Sequence, residues 1–361
     1  MARTFEVHVL PAGNGDCIWI EYGDAASPHR ILIDGGTQGT YKRLKKKIQS
    51  LNLSKVHFDL LVITHIDGDH IAGALELLER SGLSVSFGDI WFNGYRHLPS
   101  EKIEDFGALQ GERLTTALLD PKKKLRWNAN PAFQGGRVCV EQDGSPIHVR
   151  DLPEGLDVFV MSPGIEQLSA LRPVWEKECS HAGLDPKRPV EEKIALPLGL
   201  EALGAIDVES LAATKFEEDD KPANGASIAL LLRYEGKNVL LAGDAFPSVI
   251  TKSVESLSGH KPLTVDLLKL PHHGSQNNVN QELIEKVPAA HFVFSSNGAT
   301  YGHPDPEGVA RAVKFGGHHA RLVFNYRSKI TKVWDEAGLK KRYGFSVGYG
   351  DGESRYVVKL L

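Results

Sequence analysis

The sequence predicts a layered α/β fold, and three observations carry that prediction. Short apolar runs of strand character alternate with segments of helical period. Three of the runs stop abruptly at metal-ligating side chains, as buried strands do when their carboxyl ends deliver residues to a site. The third observation is size: 361 residues, 41% hydrophobic and 24% charged, suffice for one large domain or two fused lobes with an ample core.

Taken in order, residues 5–12, 17–23 and 30–36 read as strands separated by turn residues. A helix over 40–51 leads into the run Leu60-Leu61-Val62-Ile63, which ends at Thr64. Residues 71–81 place Ile71, Ala74, Leu75 and Leu78 on one face, so this helix packs against a sheet. A helix is expected around residues 107–119. Later strands run from Asn238 to Leu241 and from Val265 to Leu270. There is no internal repeat and no low-complexity tract.

The chemistry concentrates where those strands stop. Thr64-His65-Ile66-Asp67-Gly68-Asp69-His70 puts two histidines and two aspartates into six positions after an apolar run. Imidazole nitrogen and carboxylate oxygen both bind Zn²⁺, Mn²⁺ or Fe. A polar turn with Asp69 capping a helix that starts near Ile71 explains one aspartate, but not both histidines as well. Ala242-Gly243-Asp244 ends a second strand and Pro271-His272-His273-Gly274-Ser275 a third. A shared sheet would bring those three ends together along one edge.

In chain order the motifs are Gly13-Asn14-Gly15-Asp16-Cys17, Ile33-Asp34-Gly35-Gly36, the His65 to His70 cluster, Asn224 with Ser227, Gly243-Asp244, His272-His273-Gly274-Ser275, and Asn297 with Tyr301-Gly302-His303-Pro304. This set resembles the metallo-β-lactamase superfamily, and within it the ComEC-type branch of DNA-uptake nuclease domains. The resemblance runs over residues 5 to 330 and implies an αββα sandwich with a long insertion. It implies one domain over 1–361, with halves near 1–164 and 224–361 and insertions near 95–155 and 165–223. Two departures matter. Asp67 stands where the superfamily has a histidine, and 156–164, where a mid-chain histidine ligand is expected, has none. Both make the centre richer in oxygen and shift preference from Zn²⁺ toward Mn²⁺ or Mg²⁺.

Carried over by that resemblance, His65 and Asp67 hold one of two divalent ions and Asp69 and His70 the other, with Asp244 bridging. His272 completes the second position, with His273 as its competitor. Asp34 orients a ligand histidine from behind; a turn cap before Gly35-Gly36 is the other reading. Asp69 steers a metal-bridging hydroxide. Gly274-Ser275 opens a helix facing a phosphate, and Asn297 belongs to the same surroundings. His303 is a candidate for the missing nitrogen ligand, a proton donor to the leaving group, or the anchor of the Pro304 turn. The implied activity is a dinuclear metal-dependent phosphodiesterase or nuclease. Alternatives are a small-molecule hydrolase acting on a lactone, thioester, phosphocholine or nucleotide ester, and a non-catalytic sensor or assembly subunit with a protein partner.

Composition limits the partners. A formal net charge of −4 gives no bulk attraction for DNA or RNA. Of the local basic clusters, Lys122, Lys123, Lys124 and Arg126 beside Trp127 are the candidates for tracking a nucleic-acid backbone and stacking a base, against a plain solvated face. No apolar run reaches the length of a membrane span and no signal-peptide pattern opens the chain. Cys17, Cys139 and Cys179 are odd in number and far apart, which fits a reducing, cytoplasmic compartment without disulfides. None of the three is expected to ligate the metal.

Overall fold

Alternation of side chains sorts the strands into two sheets in a computed structural model of the protein, which describes residues 2–99, 109–182, 206–353 and 355–361. The first part contains β1 (Arg3–Val9), β2 (Ile18–Asp24), β3 (His29–Ile33), α1 (Tyr41–Ser50), β4 (Val56–Val62), α2 (Gly68–Glu79) and β5 (Val85–Trp91). The middle holds α3 (Leu109–Leu119), β6 (Ile147–Val149), β7 (Asp157–Ser162), α4 (Ile165–Ala182), α5 (Val208–Ala212) and α6 (Pro222–Gly225). Next come β8 (Ala229–Tyr234), β9 (Lys237–Leu241), α7 (Pro247–Ser258), β10 (Val265–Lys269), α8 (Gln281–Lys286) and β11 (Ala289–Phe294). The remaining elements are α9 (Pro306–Phe315), β12 (Arg321–Phe324), α10 (Lys329–Lys332), α11 (Ala337–Tyr343), β13 (Ser346–Tyr349) and β14 (Tyr356–Lys359).

One sheet has the order β14-β1-β2-β3-β4-β5 and the other β13-β12-β11-β10-β9-β8-β7-β6. Strand β14 crosses back to pair antiparallel with β1, with Glu6 opposite Lys359. The pleat then decides which layer each side chain enters. Leu60 and Val62 of β4 join Val158, Leu230, Val239 and Leu267 in the layer between the sheets. Leu61, between them, packs outward with Leu44 and Ile48 of α1 and Ile71 and Leu75 of α2. On the other side Leu240, Leu268 and Phe292 pack against Ile250 and Val254 of α7 and Val309 of α9. Helices therefore cover both outer faces, and the mixed α/β architecture is the expected αββα sandwich.

The structure corrects several local expectations. The strand ends do not line one sheet edge: β4 lies in one sheet and the adjacent parallel pair β9 and β10 in the other. The strand expected over 30–36 stops at Ile33, because Asp34 turns left-handed with φ 57°. Helix α2 begins at Gly68, not near Ile71, so Asp69 lies in its first turn and caps nothing. Asp67 holds the N-cap position and makes no capping bond with its side chain. Residues 107 and 108 of the helix expected over 107–119 lie outside the described residues, as does much of the insertion placed at 165–223. The side chain of Cys179 lies there too. Among the described residues, no helix is long and apolar enough to cross a membrane.

Candidate metal centre

The first sheet supplies two imidazoles through one buried carboxylate. Asp34 accepts from the Thr64 amide at 2.8 Å, the Thr64 hydroxyl at 2.7 Å and His70 Nδ1 at 2.7 Å. Since the Thr64 hydroxyl spends its proton on Asp34, it is the acceptor in its 3.0 Å contact with His65 Nδ1. Both rings thus carry hydrogen on Nδ1 and present Nε2 forward. This is the tautomer a metal ligand needs.

The second sheet supplies the rest. After β9, Gly243 turns with φ 53° so that the Asp244 amide donates to Ser227 Oγ at 3.0 Å. After β10, His272, His273 and Gly274 take φ of 45°, 55° and 87° in succession. Two non-glycine residues in the left-handed region mark stored backbone strain, of a kind common at functional sites. This turn brings both adjacent rings inward. His272 Nδ1 lies 2.9 Å from Asn278 Oδ1 and 3.3 Å from Asp219 Oδ2; His273 Nδ1 lies 3.5 Å from Asp16 Oδ1.

All four imidazoles converge on one oxygen. Asp244 Oδ2 is 3.4 Å from His70 Nε2, 3.7 Å from His273 Nε2, 3.8 Å from His65 Nε2 and 3.9 Å from His272 Nε2. Asp67 Oδ2 stands 3.8 Å from His65 Nε2, and Asp69 Oδ2 stands 3.6 Å from His273 Nε2. Asn14 fixes Asp69 by donating to the same oxygen at 2.9 Å. The Asp67 side chain is 43% exposed, so the group opens to solvent on that side.

These residues fit divalent metal ions. His65 Nε2 is buried without a hydrogen-bond partner, a costly state in a low-dielectric interior. Asp16, His70, Asp244 and His273 each offer a ligand atom within 4.8 Å of the others. Burial pushes the carboxyl of Asp244 up, but His70, His273 and His272 outweigh it and hold the group well below the carboxylate range. Burial pushes His273 down, yet Asp244 and Asp16 raise it to about 9. His65 falls to about 4 through burial and the neighbouring His70. The residues form a buried, acid-rich pocket of donors, which cations satisfy and protons satisfy only in part.

The structure brings His65, Asp67, Asp69, His70, Asp244, His272 and His273 together, with Asp34 behind His70. His303 stands beside them, its ring 5.1 Å from that of His272 and its Nδ1 3.0 Å from Asp305 Oδ1. Ser275 opens no helix: a left-handed Gly274 precedes it, and its hydroxyl accepts from the Asn277 amide at 3.2 Å in a local turn. Asn297 pins a loop, its amide donating to the Gly13 carbonyl at 2.8 Å and its Oδ1 accepting from Ala299. Trp127 is not free to stack a base, since Phe92 stacks on its ring, His97 meets it edge-on and its Nε1 donates to the Phe92 carbonyl at 2.8 Å. Sequence reasoning placed Asp16 in the opening motif without giving it a role at the centre, and missed Lys269, Asp219 and Asn278. Lys269 left a signal, a lone lysine at the end of the apolar run Val265 to Leu270; Asp219 was hidden in the acidic run 217–220.

Residues 10–145 match the family model of the metallo-beta-lactamase superfamily, a span that holds Asp34, His65, Asp67, Asp69 and His70. No curated protein matches the sequence. Among solved structures, the chain is similar to the metallo-beta-lactamase fold protein YhfI from Bacillus subtilis, at 10% identity over 98% of this chain and 99% of that one, with a TM-score of 0.42. It is similar to Zn²⁺-bound PqqB from Methylobacterium extorquens, at 11% identity over 95% and 87%, with a TM-score of 0.41. A third is CmlA, a diiron beta-hydroxylase from Streptomyces venezuelae, at 12% identity and a TM-score of 0.40; the match covers 98% of this chain and 54% of CmlA, so the chain spans about half its length. The family-model match covers the stretch that carries the first-sheet side chains of the centre, and the two-sheet α/β architecture is consistent with the metallo-β-lactamase fold.

Proposed function

We propose that this protein is a dinuclear metal-dependent hydrolase of phosphodiesters. The observation that carries the reading is Asp244 Oδ2 with four imidazole Nε2 atoms between 3.4 and 3.9 Å away, those of His65, His70 and His273 on buried rings and that of His272 on a partly buried one. His65 lies with Asp67, His273 lies with both Asp69 and His70, and His272 is the fourth ring near the same oxygen. These residues would hold two ions of Zn²⁺, Mn²⁺ or Mg²⁺. Bound ions at such a centre acidify water and offset charge on an ester oxygen.

The chain's own residues supply the remainder. Asp34 and Thr64 lock the tautomers of His70 and His65. Asp67, as a ligand beside His65, marks the side on which the centre opens to solvent. His303, oriented by Asp305 through Nδ1, keeps Nε2 for exchanging a proton with the leaving group. Phosphodiesters suit an acid-rich pocket only when cations neutralise it, and their anionic oxygens are themselves metal ligands. A ComEC-type nuclease is the leading member of this class on the motif resemblance.

A second reading, a small-molecule ester hydrolase, has one observation in its favour. Gln110 of α3 sits against Gly68, next to the exposed Asp67, and narrows the approach to the centre. A panel of DNA, RNA, a bis-aryl phosphodiester, lactones and thioesters, run with Mn²⁺, Mg²⁺ and Zn²⁺, separates them. Cleavage of the aryl phosphodiester is expected. Turnover of a lactone or thioester with every phosphodiester left intact would give the second reading its place.

A further inference from the structure

Lys269 ends β10 with its side chain 1% exposed. A buried ammonium is tolerated only with opposite charge and hydrogen bonds around it. Lys269 has both: an ion pair with Asp16, a bond to the Gly243 carbonyl at 2.9 Å, and Asp244 Oδ1 at 3.7 Å. Asp16 is fixed from behind as well. A Cβ on Gly15 would overlap the Asp69 carbonyl, so the loop carrying Asp16 lies flat on the ligand loop, and Ser295 Oγ donates to the Gly15 carbonyl at 3.0 Å.

Three of the four imidazoles have a close partner on Nδ1: His70 at 2.7 Å, His272 at 2.9 Å and His65 at 3.0 Å. His273 has only Asp16 Oδ1, at 3.5 Å. Both of those atoms are buried and neither has a hydrogen bond. Lys269 takes the other oxygen of Asp16 and leaves this one aimed at His273.

We propose that Asp16 is the positioning carboxylate of His273, doing for it what Asp34 does for His70, and that Lys269 is the cation that holds Asp16 in that role. Lys269 also occupies the side of Asp244 Oδ1, so that a single oxygen of Asp244 faces the four rings. The inference rests on the metal-binding reading above.

The test is Zn²⁺ affinity of the full chain by chelator competition, in a cycle of Asp16→Ala, His273→Ala and both. Asp16→Ala should weaken binding about 10–100-fold, the usual cost of removing an outer partner of a ligand histidine. In the His273→Ala background the same change should cost less than about threefold. Equal losses in both backgrounds, or no loss in either, would overturn the proposal. Where Asp16→Ala fails to fold, Lys269→Met combined with Asp16→Asn or with Asp16→Leu removes both buried charges and keeps or deletes the acceptor; the same gap is expected between that pair. Asp16→Cys loaded with Co²⁺ should lack a thiolate-to-cobalt charge-transfer band, and its appearance would overturn the outer role by making the residue a direct ligand. Wild-type chain that takes up neither ion would instead end the metal reading itself.

Discussion

Asp244 Oδ2 has four imidazole nitrogens within 3.9 Å, and His65 Nε2 beside it has no hydrogen-bond partner. Protons alone leave that arrangement unsatisfied, so on the proposed function Asp244 is the residue whose loss should cost most in metal retention. Asp244→Ala should reduce metal content from about two ions per chain to one or fewer, read by elemental analysis of protein purified without chelator. Full occupancy in the variant would remove Asp244 from the centre. Asp67→His should keep both ions and favour Zn²⁺ over Mn²⁺, because a nitrogen donor replaces an oxygen, whereas Asp67→Asn should weaken the first position. Unchanged metal content with all turnover lost in both would make Asp67 a proton carrier instead. Away from the centre, His97 gives a pH signature. Burial, aided by Arg96, pushes its imidazole down to about 4, while the unfolded chain titrates near 6.5. Its stabilising contribution is therefore complete above pH 6.5 and lost as pH falls toward 4, by about 3 kcal/mol at most. His97→Gln should flatten the loss of stability between those pH values in urea titrations. A slope equal to that of the wild type would assign the acid sensitivity to other groups.

The elements place these residues by close backbone contact, and here the sequence was only partly legible. The His65 to His70 cluster is readable because the apolar run Leu60 to Ile63 closes β4 just before it and α2 begins within it at Gly68. What the sequence hides is how nearly that helix touches its neighbours. A Cβ on Gly73 of α2 would overlap the Gly35 carbonyl, and one on Gly35 would overlap the Ala74 amide. Gly73→Ala should destabilise the protein by about 1–3 kcal/mol through overpacking and should weaken metal binding, since it pushes His70 off Asp34. Thermal melts and chelator competition on the same preparation check both. Loss of stability with wild-type affinity would show that α2 shifts as a unit without disturbing His70. The turn after β10 was equally hard to read. A choice between His272 and His273 is natural on a strand, where neighbours face opposite ways. Two successive left-handed residues break that alternation and bring both rings in. Periodicity carries no sign of such a turn.

At the scale of the whole molecule, the layered α/β class was legible because it depends on strand and helix periods that recur along the chain, while the αββα order came from the motif resemblance and not from those periods. The pairing of ligands across the sandwich was not. Asp34, His65 and His70 come from one sheet and Asp244, His272 and His273 from the other, and Asp16 reaches Lys269 between the two. Nothing local in residue 16 reports its distance from residue 269. The centre is thus a clasp between two separately hydrogen-bonded sheets, held otherwise by the apolar layer between them. Ions bound there stabilise the folded chain by mass action, by about 2.7 kcal/mol at one hundred times the dissociation constant. With an unfolding entropy of about 2.1 cal/mol/K per residue, that corresponds to about 4 °C for a chain of 361 residues. Removing the metal with a chelator should lower the melting temperature by that order, and adding Zn²⁺ or Mn²⁺ should restore it. In Asp244→Ala the chelator should have little effect, because the clasp is already open. An equal chelator shift in wild type and variant would place the stabilising metal elsewhere in the molecule.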